Sequence, residues 1–169
     1  MRIIDSFYSR PAFDVAPELL GKFLCRNLDG NIVKFRITET ECYYGEDDTA
    51  CHAHKGKTER TGVMYENGGL AYVYLCYGIH NMLNIVTGVK DFPEAVLIRG
   101  AGEYNGPGKL TKALKINRSF NWENLMKSDK LWIEDDESGK RYPYKTDRRV
   151  GIAYAHETDR NRLWRFLLS

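Results

Sequence analysis

The chain has 169 residues, 43% of them hydrophobic and 28% charged, which suits a single folded domain over residues 1–169 built on one core. Lysine and arginine number 25 against 23 aspartates and glutamates, so the net charge of +2 does not by itself mark a polyanion partner. No apolar run approaches the roughly 18 residues of a membrane span. Met1-Arg2-Ile3-Ile4-Asp5 also lacks the apolar core of a signal peptide, so the expectation is an intracellular, soluble protein with no membrane partner.

Cys25, Cys42, Cys51 and Cys76 form no Cys-x-x-Cys pair and read as free thiols. Charge is unevenly spread. Acids crowd residues 39–48 and 129–137; bases gather at Lys109, Lys112, Lys115 and Arg118, then at Lys140, Arg141, Lys145, Arg148 and Arg149. Any one stretch reads as solvated surface, while the basic ones together suit a face that tracks phosphates.

In chain order, residues 17–24 predict a short helix, with Pro17 in its first turn and Leu20, Phe23 and Leu24 on one side. Asp29-Gly30-Asn31 then turns into a half-buried strand over 32–41, where Val33, Phe35 and Ile37 alternate with polar residues. Further strands are expected at 70–77, 83–87 and 95–99. A glycine-rich loop follows at 100–108, and Pro107 starts a helix over 108–116. A short helical turn at 122–126 and late strands at 131–134, 150–155 and 163–168 complete the pattern. Successive strands with few helices predict an α+β fold with a mostly antiparallel, curved sheet and a few flanking helices.

Strand alternation places Glu39, Glu41 and Tyr43 on one face, where a carboxylate and a ring can line a pocket together; Glu41 is equally readable as an exposed strand-end acid. His52 and His54 follow an acidic loop near Cys42 and Cys51. Without paired ligands two to four residues apart, a stacking or hydrogen-bonding imidazole fits better than zinc, and no metal or other cofactor is expected. Tyr72 and Tyr74 share a strand face. Tyr77 points the other way and abuts Gly78 at a turn, a position suited to a wedge between base pairs. Asn84 falls on the return strand and Arg99 ends an apolar one, where it can pair with Glu41. The segment Gly102-Glu103-Tyr104-Asn105-Gly106-Pro107-Gly108-Lys109-Leu110 fails the phosphate-loop pattern in spacing and in its lack of a Ser or Thr after the lysine. It remains either a DNA-backbone contact, helped by Lys109, or a structural loop.

Taken together, Leu20-Gly21-Lys22-Phe23-Leu24, Glu39-Thr40-Glu41-Cys42-Tyr43-Tyr44-Gly45, Asp48-Thr49-Ala50-Cys51-His52 and Tyr72-Val73-Tyr74-Leu75-Cys76-Tyr77-Gly78 resemble the alkyladenine (mammalian-type 3-methyladenine) DNA glycosylase family. Met82-Leu83-Asn84, Ala95-Val96-Leu97-Ile98-Arg99, Gly106-Pro107-Gly108-Lys109-Leu110 and Arg149-Val150-Gly151-Ile152 continue the resemblance in order. It implies an enzyme that flips damaged purines out of double-stranded DNA and hydrolyses the N-glycosidic bond without cutting the strand, acting as a monomer. Glu41 would activate water, with Arg99 and the backbone near Ile152 holding it. Tyr43, His52 and Tyr74 would enclose the base, Asn84 would disfavour guanine, and Tyr77 would fill the gap in the duplex. Lys109 and Arg149 would contact the DNA backbone. The chain stops where family members usually continue, so substrate range is expected to differ. The rival expectation is a lesion-binding domain on the same scaffold without turnover.

Overall fold

The computed structural model describes residues 1–169. Helices α1 (Asp5–Tyr8) and α2 (Ala12–Leu19) open the chain, followed by strands β1 (Phe23–Leu28) and β2 (Asn31–Tyr44). Two 3-10 turns, His52–Lys55 and Gly62–Tyr65, precede the hairpin of β3 (Ala71–Cys76) and β4 (His80–Val86). Next come β5 (Glu94–Ala101), β6 (Tyr104–Asn105), α3 (Pro107–Ala113) and β7 (Leu131–Glu134). Strand β8 (Tyr144–Asp147), helix α4 (Glu157–Arg160) and strand β9 (Arg165–Leu168) finish it. All nine strands join one sheet in the order β3-β4-β5-β2-β1-β7, with β6 on β5, β9 on β2 and β8 on β9. Every pairing is antiparallel, so the fold is the α+β architecture with a curved sheet that the sequence predicts.

An irregularity in β2 gives the sheet its two different faces. Ile37 pairs with Ala101 and Glu39 with Gly100, so Thr38 is an extra residue on β2; Thr40 then pairs with Ile98, which leaves Arg99 extra on β5. A bulge of this kind resets the alternation of side chains. Before it, Ile37 enters the main core, with Val33 and Phe35 packed against it; after it, the core-facing residues are Thr40 and Cys42. Glu39, Glu41 and Tyr43 are thereby turned to the opposite face. Helices α2 and α3 cover the core face: Val15, Ala16, Leu19, Leu110 and Leu114 pack on Ile85, Val96 and Ile98, and the Thr40 hydroxyl donates to the Ala16 carbonyl at 2.8 Å.

Several elements differ from the sequence expectation. The first long helix is residues 12–19 rather than 17–24; it starts after Pro11, and Pro17 falls in its last turn. There the missing N–H forfeits one bond, to the Phe13 carbonyl. Leu20 is already extended and Phe23 and Leu24 belong to β1. Residues 122–126 form no helical turn. Trp122 has a φ of +72°, its N–H donates to Ala71 and the Glu123 carbonyl accepts from Ala71, so this segment lines the edge of β3. Residues 150–155 are a loop, and β8 replaces them as the late strand, because the Val150 N–H is taken by a side chain and Gly151 adopts a φ of +73°.

Glu94 is buried between β5 and the start of α2 with no cation beside it. The Ala12 N–H donates to its carboxylate, the Thr87 hydroxyl lies 3.5 Å from the same oxygen, and a side chain on Gly88 would collide with it. Burial pushes its pKa up to about 7, with the Ala12 and Thr87 bonds pulling the other way. The folded state therefore binds the Glu94 proton more tightly than the unfolded chain. The stability this gives is complete below the ordinary carboxylate range and is lost as pH rises toward 7. Glu94→Gln should be more thermostable than wild type at pH 8 by several degrees, with the difference shrinking toward pH 5. A melting-temperature difference that is the same at both pH values would refute this.

Candidate active site

Cross-strand register brings the site together in one row. Tyr72 lies opposite Asn84, Asn84 opposite Leu97, Leu97 opposite Glu41, and Glu41 opposite Arg165. Directly opposed residues share a face, so five strands present these side chains to the side away from α2 and α3. On that side lies a cavity of about 510 Å³, within the usual range for ligand sites. Its lining includes Tyr43, His52, Tyr74, Asn84, Arg99 and Ile152.

Glu41 sits beneath the floor of this cavity with no exposed surface. Tyr43 donates its hydroxyl proton to one carboxylate oxygen at 2.9 Å, and Arg99 Nη1 stands 3.7 Å from that same oxygen. The Val150 N–H donates to the other oxygen at 2.6 Å. Burial raises the Glu41 pKa above the ordinary carboxylate range; Arg99, the Val150 N–H, Tyr43 and Arg149 each offset part of that rise. Holding a carboxylate in this way suits a base, because proton affinity is higher than in water while the anion remains supported.

The aromatic walls are made locally. Arg149 lies 5.0 Å above the Tyr43 ring, which also lines the cavity. His52 and Tyr74 meet with centroids 4.4 Å apart and planes at 69°. The Tyr72 hydroxyl shares a 2.8 Å hydrogen bond with His52 Nδ1. Burial, with help from the nearby Arg60 and Lys55 charges, lowers the His52 pKa to about 4, so the ring is neutral at pH 7. Asn84 is buried, and its amide donates to the Tyr72 carbonyl at 3.1 Å, which fixes the side chain at the cavity wall. Ile152 packs with Ala50 and Ala155 against Tyr43. Tyr77 is 86% exposed at the cavity mouth. With Gly78 it occupies the positive-φ pair of the β3–β4 turn, at +52° and +70°, so the ring projects from the tip.

Lys109 is exposed in the first turn of α3, two residues beyond Pro107 at the cavity edge. Arg149 is a correction: its side chain has no exposed surface and cannot reach a phosphate. It donates to both oxygens of Asp48, at 2.6 and 3.0 Å, and to the carbonyls of Cys42 and Asp159. The zinc alternative has no cluster to support it, since no three His, Cys, Asp or Glu side chains converge. His54 Nδ1 is bonded instead to the Glu46 carbonyl, and Cys42 and Cys51 are buried.

Three contributors are not singled out by the sequence. Arg60 lies 5.2 Å over the Tyr74 ring and lines the cavity. Tyr154 lines it too, anchored by its hydroxyl to the Ala50 carbonyl at 2.8 Å. The Val150 N–H is a backbone donor that no residue type signals. Tyr72, by contrast, is marked in the sequence by sharing a strand face with Tyr74.

The profile described as methylpurine-DNA glycosylase matches residues 6–104 and 101–169. A protein of Psychrobacter cryohalolentis is 43% identical over 180 aligned positions, covering 89% of this chain and 84% of its own. One from Natranaerobius thermophilus is 40% identical over 192 positions, covering 99% and 96%, and one from Methanocella arvoryzae is 44% identical over 181, covering 95% and 88%. Each bears the name "Putative 3-methyladenine DNA glycosylase". The chain belongs to the methylpurine-DNA glycosylase family. It is a DNA glycosylase of the class that processes alkylated purines, and no helix in it is long and apolar enough to cross a membrane. The 192 positions aligned with the Natranaerobius protein exceed the 169 residues here by 23, so gaps lie inside this chain.

The Asp48–Arg149 pair supports the loop above Glu41 structurally. Asp48→Ala would leave a buried guanidinium unpaired and should cost about 3–5 kcal/mol of stability. Urea unfolding measures this, and a loss under 1 kcal/mol would contradict the structural role.

Proposed function

We propose that this chain extrudes a damaged purine nucleotide from duplex DNA into the cavity and hydrolyses its N-glycosidic bond with a water activated by Glu41. The observation that carries this reading is a buried carboxylate that accepts from Tyr43 and the Val150 N–H and faces Arg99, all three of which line an aromatic-walled cavity of ligand size. Water attacks C1′ and gives a proton to Glu41, while the bonding pair leaves with the base. Positive charge develops on the sugar in the transition state, and the carboxylate stabilises it. A purine alkylated at N3 or N7 is cationic, leaves as a neutral base, and is favoured over aromatic faces. Hypoxanthine and other deaminated purines belong to the same proposed range, provided the neutral base acquires a proton on leaving.

Tyr43 on one wall, with His52 and Tyr74 on another, would stack the extruded base, contributing roughly 1–3 kcal/mol per base. That offsets the few kcal/mol of unstacking, which is smallest for damaged or mispaired bases. Asn84 and Ile152 complete the base's surroundings, and Arg99 holds the base-activating carboxylate. Tyr77 enters the gap in the duplex. Lys109 and the carboxylate-free Arg60 are the cations we assign to flanking phosphates. No lysine lines the cavity, which supports a monofunctional reaction ending at an abasic site. One copy of the single domain presents every one of these groups, in keeping with action as a monomer.

Glu41 has no exposed surface in the free protein, so side chains over it must move on DNA binding to admit water. The test is base release from duplexes carrying one 7-methylguanine or one hypoxanthine. Glu41→Gln should bind the lesion within a few-fold of wild type but lose at least a hundredfold in single-turnover release. In wild type, release should fall as pH drops through the raised Glu41 pKa, and binding should weaken steeply with salt. Equal release by Glu41→Gln would overturn the assignment; binding without release by wild type would favour the lesion-binding alternative.

A further inference from the structure

Arg165, near the end of the chain, does not line the cavity, yet two of the three supports of the Glu41 carboxylate, Arg99 and the Val150 N–H, lead back to it. Its Nη1 donates to Glu39 Oε1 at 2.9 Å, and that same oxygen accepts from Arg99 Nε at 3.3 Å. Arg99 in turn faces the first Glu41 oxygen. In the other direction, Arg165 Nε donates to the Arg148 carbonyl at 2.8 Å and Nη2 to Asp147 at 2.7 Å. Two residues on, the Val150 N–H holds the second Glu41 oxygen. β9 pairs with β2 so that Arg165 stands opposite Glu41, which fixes the guanidinium on the site face.

We propose that Arg165 and Glu39 are positioning residues for the catalytic carboxylate: one guanidinium locks Arg99 through Glu39 on one side and the Val150 loop through Arg148 on the other. A planar fork with donors in three directions can make these contacts at once, which an ammonium cannot match. The arrangement is also an alternating series of charges, Glu41, Arg99, Glu39, Arg165 and Asp147. Removing one member therefore changes the potential at Glu41 in a direction set by that member's sign. The other titratable groups facing Glu41 are Tyr43 from β2, Tyr74 from β3, and Arg149 and Tyr154 from the loop after β8; none of them changes in the variants below.

The inference rests on Glu41 acting as the base, and the experiment separates the two. Single-turnover base release is measured against pH for wild type, Arg165→Ala, Arg165→Lys, Glu39→Gln and Glu41→Gln, with lesion-DNA Kd and melting temperature recorded for each. Arg165→Ala should lose tenfold or more in rate, shift the acid limb of the profile to higher pH, and keep Kd within about threefold. Glu39→Gln, which is isosteric and removes a negative charge, should also be slower but shift the acid limb to lower pH. Arg165→Lys should restore the limb, because charge is kept, without restoring the rate. Opposite shifts are not what a general loss of folding produces. If Arg165→Ala does not fold, the Glu39→Gln and Arg165→Lys profiles still decide. Unchanged rates with unchanged limbs, while Glu41→Gln is inactive, would overturn the positioning role alone. Release by Glu41→Gln at the wild-type rate would overturn the base assignment and this inference with it.

Discussion

Burying an ionised carboxylate costs several kcal/mol even after the surroundings relax, and that cost must be offset by donors at close range. At Glu41 the support comes from three separate places: hydrogen bonds from Tyr43 on the same strand and from the Val150 N–H in the loop after β8, and the charge of Arg99 on β5, 3.7 Å away. None of these can be placed without first forming the sheet around β2 and then laying residues 148–152 across it. The Arg149–Asp48 pair and the Arg165 contacts both serve that second step. The site thus depends on contacts between residues more than a hundred positions apart in sequence.

The bulge at Thr38 is the local device that makes such a site possible. Strand β2 must feed the main core through Ile37 and still offer Glu39, Glu41 and Tyr43 to the opposite face. Perfect alternation would put Ile37 and Glu41 on one face, burying a carboxylate among aliphatic side chains with no donor. One extra residue resolves the conflict, and bulges are common next to active sites for this reason. The extended β3–β4 hairpin uses local geometry in a similar way. Its positive-φ turn projects Tyr77 outward while Tyr72 and Tyr74, anchored by His52, stay at the cavity wall.

Much of this was legible in the sequence wherever the signal is local. The alternation in β2, the apolar β5, the Pro107 helix start and the hairpin ending at Tyr77-Gly78 all show in residue order. The grouping of Glu41, Tyr43, His52, Tyr74 and Asn84 followed from family resemblance; the last four line one cavity, and Glu41 is bonded to Tyr43. What the sequence hid is non-local. The apolar alternation of Val33, Phe35 and Ile37 gives way to Glu39 and Glu41 at the same spacing, which reads equally as a strand leaving the core and does not by itself announce the bulge. Arg149 looks like one of a run of surface bases, and only Asp48, a hundred residues away, buries it. Residues 150–155 have strand composition, but the Glu41 carboxylate competes successfully for the Val150 N–H. Pro17 reads as a helix start, whereas the helix begins after Pro11 and Pro17 falls in its last turn.

The central claim is that an extruded purine occupies the cavity above Glu41. It is tested most directly by a crystal structure of Glu41→Gln bound to a duplex containing one ethenoadenine. The account predicts the lesion outside the helix, stacked between Tyr43 and the His52–Tyr74 wall. It also predicts Tyr77 in the vacated position and a water between residue 41 and C1′. A lesion still stacked in the duplex, with the cavity empty and Tyr77 outside the helix, would contradict it.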